Sequence, residues 1–286
     1  MTRTGDTALL FPGQGSHVEG MRDEVARARP NLLELAIAEV GEDPFPRIEE
    51  STRFAQPAIF CASVAALPAV DLGEVGWMAG HSLGEFAALV AAEALTAEDA
   101  LGLVALRGEL MDHATGGAGA MLALKGPDAW EMATEIAFET GTYPANHNSP
   151  TQVVIAGQAG AIEEARRIAR GRALRAMVLP VRGAFHTPLM ASTREPFAAA
   201  LASVDVRPPR IPVFSGATAA PFGHDIRAGL VDALTAPVRW SSVLEALADA
   251  GARRFVEVGP GDVLTGLVRK TLPGVEAVSL SEMARA

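Results

Sequence analysis

The chain has 286 residues, 49% of them hydrophobic and 20% charged, a balance that buries enough apolar surface to offset ordering entropy and excludes a disordered or fibrous protein. Its 24 basic and 34 acidic side chains leave a formal charge of −10, which excludes a nucleic-acid binder working through a broad basic surface and requires any anionic ligand to meet a local cationic site. The single cysteine, Cys61, can close no intrachain disulfide and no Cys/His cluster has metal-ligand spacing, so neither a disulfide scaffold nor a metal centre is expected and a cytoplasmic location is.

At the start of the chain, Met1 to Asp6 lacks the apolar run of a signal peptide, so export is not expected. The longest apolar stretch, Ala58 to Val70, is broken by Ser63 and Pro68 and falls short of the roughly 20 residues that span a bilayer, so no membrane segment is expected. Three short β-type runs end in glycine turns. Thr7–Leu10 leads into Gly13-Gln14-Gly15, Val75–Ala79 into Gly80-His81-Ser82-Leu83-Gly84, and Phe255–Val258 into Gly259-Pro260-Gly261. Strand, glycine turn and helix form the unit of a parallel α/β sheet, whose ligand sites lie at the carboxyl ends of the strands, and three such turns predict one shared cleft. The middle of the chain alternates differently: strand 120–125, helix 127–140, strand-rich 143–156, helix 160–170 and strand 174–181. That order fits a split βαβ insertion at 116–184, hinged at Gly116-Gly117 and Gly183, within a larger unit of 1–115 and 185–286.

Four residues stand out for chemistry. Gln14 sits in a glycine-rich loop that lacks the lysine and spacing of a phosphate loop; it is a plain turn residue or, beside a nucleophile, an oxyanion donor. Ser82, in G-x-S-x-G between a strand and a helix, is either an N-cap or a nucleophile pushed out by a tight turn, with the Leu83 N–H at the helix entrance as a second oxyanion donor. Arg107 lies on the apolar stripe of a helix beginning near Thr96. It must snorkel, pair with an internal carboxylate, or bind a substrate carboxylate bidentately. Among the six histidines, His186 precedes Thr187-Pro188, a helix-start signature, and is the better candidate base; His81 is expected to point away from Ser82.

Taken together these pieces resemble the malonyl-CoA:acyl-carrier-protein transacylases and the acyltransferase domains of polyketide synthases. The resemblance rests on Phe11-Pro12-Gly13-Gln14-Gly15-Ser16, Gly80-His81-Ser82-Leu83-Gly84-Glu85, Arg107-Gly108 with Met111, Asn148-Ser149-Pro150, Gly183-Ala184-Phe185-His186, Pro237-Val238-Arg239-Trp240 and Glu257-Val258-Gly259-Pro260-Gly261, in the family order. It implies an α/β fold: an α/β-hydrolase-like large subdomain with a parallel sheet and an inserted ferredoxin-like small subdomain. It also implies Ser82 as acylated nucleophile, His186 as base oriented by a backbone carbonyl near Ala233, Gln14 and Leu83 as oxyanion hole, and Arg107 as carboxylate binder. Met111, Asn148 and Phe185 join the substrate site, with Phe185 resembling the malonyl-selective form of its motif. Excluding one methyl branch is worth about 1–3 kcal/mol, a preference and not an absolute bar. The 100 residues that follow His186 separate this order from hydrolases whose histidine comes late, and His17 stands where relatives commonly carry glutamine.

The expected reaction is a ping-pong transfer of malonyl from malonyl-CoA to the phosphopantetheine thiol of an acyl carrier protein or polyketide synthase carrier domain, in fatty-acid or polyketide synthesis, with no metal or bound cofactor. Its alternatives are an editing thioester hydrolase, a trans-acting acyltransferase using another acyl group, and a catalytically silent interaction module; retention of Arg107 argues against the hydrolase. Carrier proteins are acidic, so Arg166, Arg167, Arg170, Arg172 and Arg175 are either a docking face or a solvated helix face.

Overall fold

The computed structural model describes residues 5–285; Met1 to Thr4 and Ala286, the two ends of the expected large subdomain, lie outside the described residues. Strand β1 (Thr7–Phe11) is buried at every position, the pattern of an inner strand of a parallel sheet covered on both faces. It pairs in parallel with β2 (Val75–Gly80) and β8 (Arg254–Glu257), and β7 (Val213–Phe214) and β9 (Glu276–Ser279) complete the order β7-β2-β1-β8-β9.

Because side chains alternate along a strand, the sheet feeds two cores. Leu9, Phe11 and Met78 face a large apolar cluster with helices α1 (Met21–Ala28), α2 (Pro30–Val40), α3 (Thr52–Ala66), α4 (Gly84–Ala91), α5 (Ala97–His113), α8 (Arg194–Ala202) and α9 (Ile226–Asp232). Ala8, Leu10, Trp77 and Ala79 face α10 (Trp240–Asp249) and α11 (Val263–Thr271). The short α12 (Leu280–Met283) closes the chain with a capping box between Ser279 and Glu282. Among the described residues no helix is long and apolar enough to cross a membrane.

Inserted between α5 and α8 is a second, antiparallel sheet in the order β4-β5-β3-β6, built from β3 (Gly119–Lys125), β4 (Tyr143–Ser149), β5 (Gln152–Gln158) and β6 (Arg175–Val178) with α6 (Ala129–Thr140) and α7 (Ala159–Gly171). This β-α-β-β-α-β order is ferredoxin-like. Leu122, Leu124, Val153 and Ile155 pack on α6 and α7, whereas Met121, Ala123, Val154 and Ala156 turn to the large core. The two units are laced by backbone: Val238 donates to Ala145 and accepts from His147, both at 2.8 Å.

Several details depart from the sequence expectations. The helix expected from Pro127 starts at Ala129, after Asp128 in a left-handed conformation. The strand expected to reach Val181 ends at Val178, freeing Leu179 to Val181 to line a cleft. Thr187 caps a 3-10 turn, Pro188–Thr193, before α8 begins. The third glycine turn lies beneath the first and is no part of the cleft wall: a Cβ at Gly259 would meet Pro12, and one at Gly261 the Ser16 carbonyl.

The turn after β2 depends on close backbone approach. A Cβ at Gly84 would lie 2.1 Å from the Phe11 carbonyl oxygen and 2.9 Å from that of Pro12, both main-chain atoms that cannot swing aside. Gly84→Ala is therefore expected to destabilise the protein by about 1–3 kcal/mol in urea unfolding, as overpacking does; an unchanged midpoint would show that the approach is not tight.

Candidate active site

Ser82 follows β2 at φ 56°, a left-handed conformation that costs a non-glycine residue free energy and turns its side chain out of the strand direction. Helix α4 takes Leu83 as its N-cap residue without a side-chain capping bond, so Ser82 is not a helix cap. Its Oγ instead lies 2.8 Å from His186 Nε2 and accepts from Arg107 Nη2 at 2.9 Å. The Leu83 N–H stands at the start of α4, where peptide donors have no partner within the helix.

His186 also has a positive φ, 60°, and is buried. Its Nδ1 lies 2.9 Å from the Ala233 carbonyl oxygen. A carbonyl only accepts, so Nδ1 carries the ring proton, Nε2 is the acceptor, and the Ser82 hydroxyl donates to it. Burial first, and then the charge of Arg107, push His186 down to about 3, keeping it a neutral acceptor across the physiological range.

Arg107 is 3% exposed, so it does not snorkel. Nη1 donates to Gln56 Oε1 at 2.5 Å and Nη2 to Ser82. Its neighbour Gly108 lets α5 approach the start of α3, since a Cβ there would lie 3.0 Å from the Thr52 carbonyl oxygen. Desolvation lowers Arg107 to about 10, with the nearby Glu85 carboxylate opposing that shift. Glu85, buried in the first turn of α4, accepts from the Gly216 N–H at 2.6 Å. Burial pushes it up to about 7 against the pull of that N–H and of Arg107.

These groups border a cavity of about 420 Å³ between the two sheets. Gln14, Leu83, Met111 and Phe185 line it from the large subdomain, and Asn148 from β4. Asn148 Oδ1 lies 2.8 Å from His81 Nε2, whose ring also packs on Trp240 at 5.3 Å between centroids, which ties β4 to the nucleophile turn; His81 lines the same cavity as Ser82. His17 and Glu49, 3.3 Å apart, also border the cavity.

The five arginines do not form one face. Arg166, Arg167 and Arg170 ride on α7, whose Ile162, Ala165 and Ala169 pack on the sheet face turned away from the cleft. Arg166 and Arg167 pair with Glu163 and Glu164, and Arg172 with Glu135 and Glu139. The arginines of α7 therefore lie on the side of that sheet away from the cleft. Arg175 differs. On β6 it stands directly opposite Lys125, on the sheet face that carries Ala123, Val154 and the 57% exposed Met177.

Two contributors, Thr52 and Gln56, escape the sequence reading, and a third, Glu85, enters it only as a motif letter with no role; each is buried and polar. A signal existed for the first two. Thr52 and Gln56 are buried polar side chains one turn apart on a mostly apolar helix, and such groups need partners.

Residues 9–285 match the family model described as acyl transferase domain. The polyketide biosynthesis protein ThaF of Burkholderia thailandensis is 41% identical over 93% of this chain, which spans only 24% of that protein. The malonyl CoA-acyl carrier protein transacylase of Haemophilus influenzae is 38% identical over 97% of this chain and 96% of its own. The crystal structure of the malonyl-CoA:acyl carrier protein transacylase from Xanthomonas oryzae pv. oryzae superposes with a TM-score of 0.89 at 34% identity, covering 100% of this chain and 98% of that one.

The raised Glu85 carboxyl has a measurable consequence. Unfolded, it releases its proton near 4.5, but folded only near 7, so it stabilises the native state below 4.5 and that contribution is lost as pH rises through 7. His186 acts oppositely, its contribution disappearing as pH falls from 6.5 towards 3. In a comparison of wild type with Glu85→Gln, both of which carry His186, the unfolding free energy of the variant relative to wild type should rise from pH 4.5 to 7 and then level off. A difference independent of pH would contradict the assignment.

Proposed function

The chain belongs to the acyl transferase domain family, among the malonyl-CoA:acyl carrier protein transacylases, and from that premise we infer that it transfers a malonyl group from malonyl-CoA to the thiol of a carrier protein's phosphopantetheine arm through an ester on Ser82. The observation that carries the mechanism is the position of Ser82 Oγ, held between a neutral imidazole nitrogen and a buried guanidinium.

In the first half, the substrate's free carboxylate displaces Ser82 Oγ from Arg107 and takes the guanidinium bidentately. That pairing offsets the cation beside His186, which after burial is the second cause that holds the ring low. His186 Nε2 then takes the Ser82 proton as Oγ attacks the thioester carbonyl. The oxyanion rests on the Gln14 amide and the Leu83 N–H, and its collapse expels CoA thiolate, which takes the proton back from His186. In the second half, His186 takes the proton of the pantetheine thiol, and the thiolate attacks the ester. The serine alkoxide leaves and is reprotonated. A hydrolase would need no cation beside its nucleophile, and Arg107 favours transfer of a carboxylated acyl group.

The carrier protein meets the enzyme at the cleft mouth. Leu179 lines the cavity, Met177 is exposed beyond it, and Lys125 and Arg175 stand side by side farther along the same face. Like charges directly opposite across two strands cost stability, and an acidic partner would relieve that cost. Such an enzyme works in the cytoplasm, where CoA thioesters and carrier proteins meet.

Incubation with malonyl-CoA followed by mass spectrometry should show an adduct on Ser82 that disappears when holo-carrier protein is added; release as free malonate would support the hydrolase instead. Arg107→Ala is expected to lower the preference for malonyl-CoA over acetyl-CoA by about tenfold or more, the loss of a bidentate charge pair, and an unchanged ratio would return Arg107 to a structural role. For docking, Arg175→Glu should slow transfer to the carrier by about tenfold while sparing acylation, and the double variant Arg166→Glu/Arg170→Glu should leave both halves unchanged. The reverse pattern would restore α7 as the docking face.

A further inference from the structure

The cleft has walls from two separate sheets, and its width depends on what holds them together. A short run of backbone stitches them. Val238, two residues before α10, lies beside Asn146 as a one-residue extension of β4, donating to the Ala145 carbonyl and accepting from the His147 N–H. Asn146 and Asn148 of the same strand line the cleft, so the place of this stitch sets where the β4 wall stands.

The stitch is itself fastened from the nucleophile side. The Arg239 N–H, next along the chain from Val238, donates to the Gly216 carbonyl at 2.7 Å. The Gly216 N–H donates to Glu85 Oε1 at 2.6 Å, and the Ser215 hydroxyl donates to the same carboxylate. Contact here is close: a Cβ at Gly216 would lie 3.3 Å from Val238 Cγ1 and 3.5 Å from Glu85 Oε1. Glu85 belongs to the first turn of α4, and its own N–H donates to the Ser82 carbonyl at 3.1 Å. One carboxylate thus links the turn that carries the nucleophile, through Gly216 and Arg239, to the seam at β4. Glu85 is 2% exposed and Ser215 3%, so an N–H that loses its acceptor there has no solvent to replace it.

We propose that Glu85 is a positioning residue of the acyl transfer: its carboxylate anchors the 215–216 turn and, through it, the Val238 stitch, and so fixes β4 with Asn146 and Asn148 opposite Ser82. The effect on rate rests on the transacylase reading, and the effect on the seam rests on the fold alone. The contact of His81 with Asn148 is a second tie between the same turn and β4, so loss of the Glu85 anchor loosens the seam without parting the two units.

Amide hydrogen exchange and single-turnover acylation of Ser82 at saturating malonyl-CoA test it in wild type, Glu85→Ala and Glu85→Gln. Glu85→Ala should lower the protection of the His147, Val238 and Arg239 amides by about tenfold or more relative to the amides of β1, as the loss of a buried acceptor does locally. It should slow acylation by about tenfold or more, the effect of a misplaced substrate wall. Glu85→Gln removes the charge but keeps an oxygen for the Gly216 N–H, and should retain the seam protection and most of the rate. Equal losses in the two variants would assign the effect to the charge and overturn the anchor. Protection lost as much in β1 as at the seam, or a loosened seam with undiminished acylation, would overturn it too. If Glu85→Ala does not fold, Glu85→Leu, which refills the space without an acceptor, is judged by the same criteria. Absence of any Ser82 adduct in wild type would overturn the transacylase reading itself, whereas a seam equally protected in wild type and Glu85→Ala would overturn the anchor alone.

Discussion

A guanidinium removed from water and left without a carboxylate in direct contact is an expensive object, and the site is organised around one. Arg107 can only donate. Its two terminal nitrogens therefore orient two acceptors, Ser82 Oγ and Gln56 Oε1, and its charge depresses the neighbouring imidazole while opposing the rise of Glu85. Removing a charge from solvent costs several kcal/mol unless it is paired. A ligand bearing a carboxylate offers that pairing at the place where the reaction occurs, which converts a destabilising feature of the empty cleft into binding energy for one class of acyl group.

The fold explains how four chain segments far apart in sequence reach one oxygen atom. The exits of β1 and β2, adjacent in the parallel sheet, place the Gln14 loop beside the Ser82 turn. Helix α5 runs close against the first turn of α3, through Gly108, and so delivers Arg107. The small antiparallel sheet covers the opening with Met121, Val154 and Asn148, and the chain returning from it to α8 supplies His186. Two residues in that assembly, Ser82 and His186, hold positive φ angles. Such strain persists only where surrounding contacts over-determine it, here the His186 bond to the Ala233 carbonyl and the close approach of Gly84 to β1.

Much of this was legible before any coordinates. Ser82, His186 and Arg107 each sit in a local signature, a glycine turn, a helix-start dipeptide or an apolar stripe, and local signatures survive in sequence. The alternation of strand and helix also announced the inserted antiparallel unit. What sequence hides is which face of a layer a residue occupies. The arginines of α7 read as a candidate docking run, yet the helix covers the side of the sheet away from the cleft; Arg175, a few residues later, faces the other way because strand periodicity replaces helix periodicity. The glycine turn after β8 resembles the other two in composition but packs beneath the first. Thr52 and Gln56 were overlooked because each is commonplace alone, and their meaning comes from Arg107, which lies 51 positions from Gln56 along the chain.

The account stands most directly on where an acyl group settles once it is attached. A crystal structure of the malonylated protein, trapped in the absence of carrier protein, should show the ester carbonyl oxygen accepting from an N–H of Gln14 and the Leu83 N–H, with the distal carboxylate on both terminal nitrogens of Arg107 and the bond from Arg107 to the Ser82 oxygen gone. A malonyl chain extending to solvent, with Arg107 still bound as in the free protein, would contradict it.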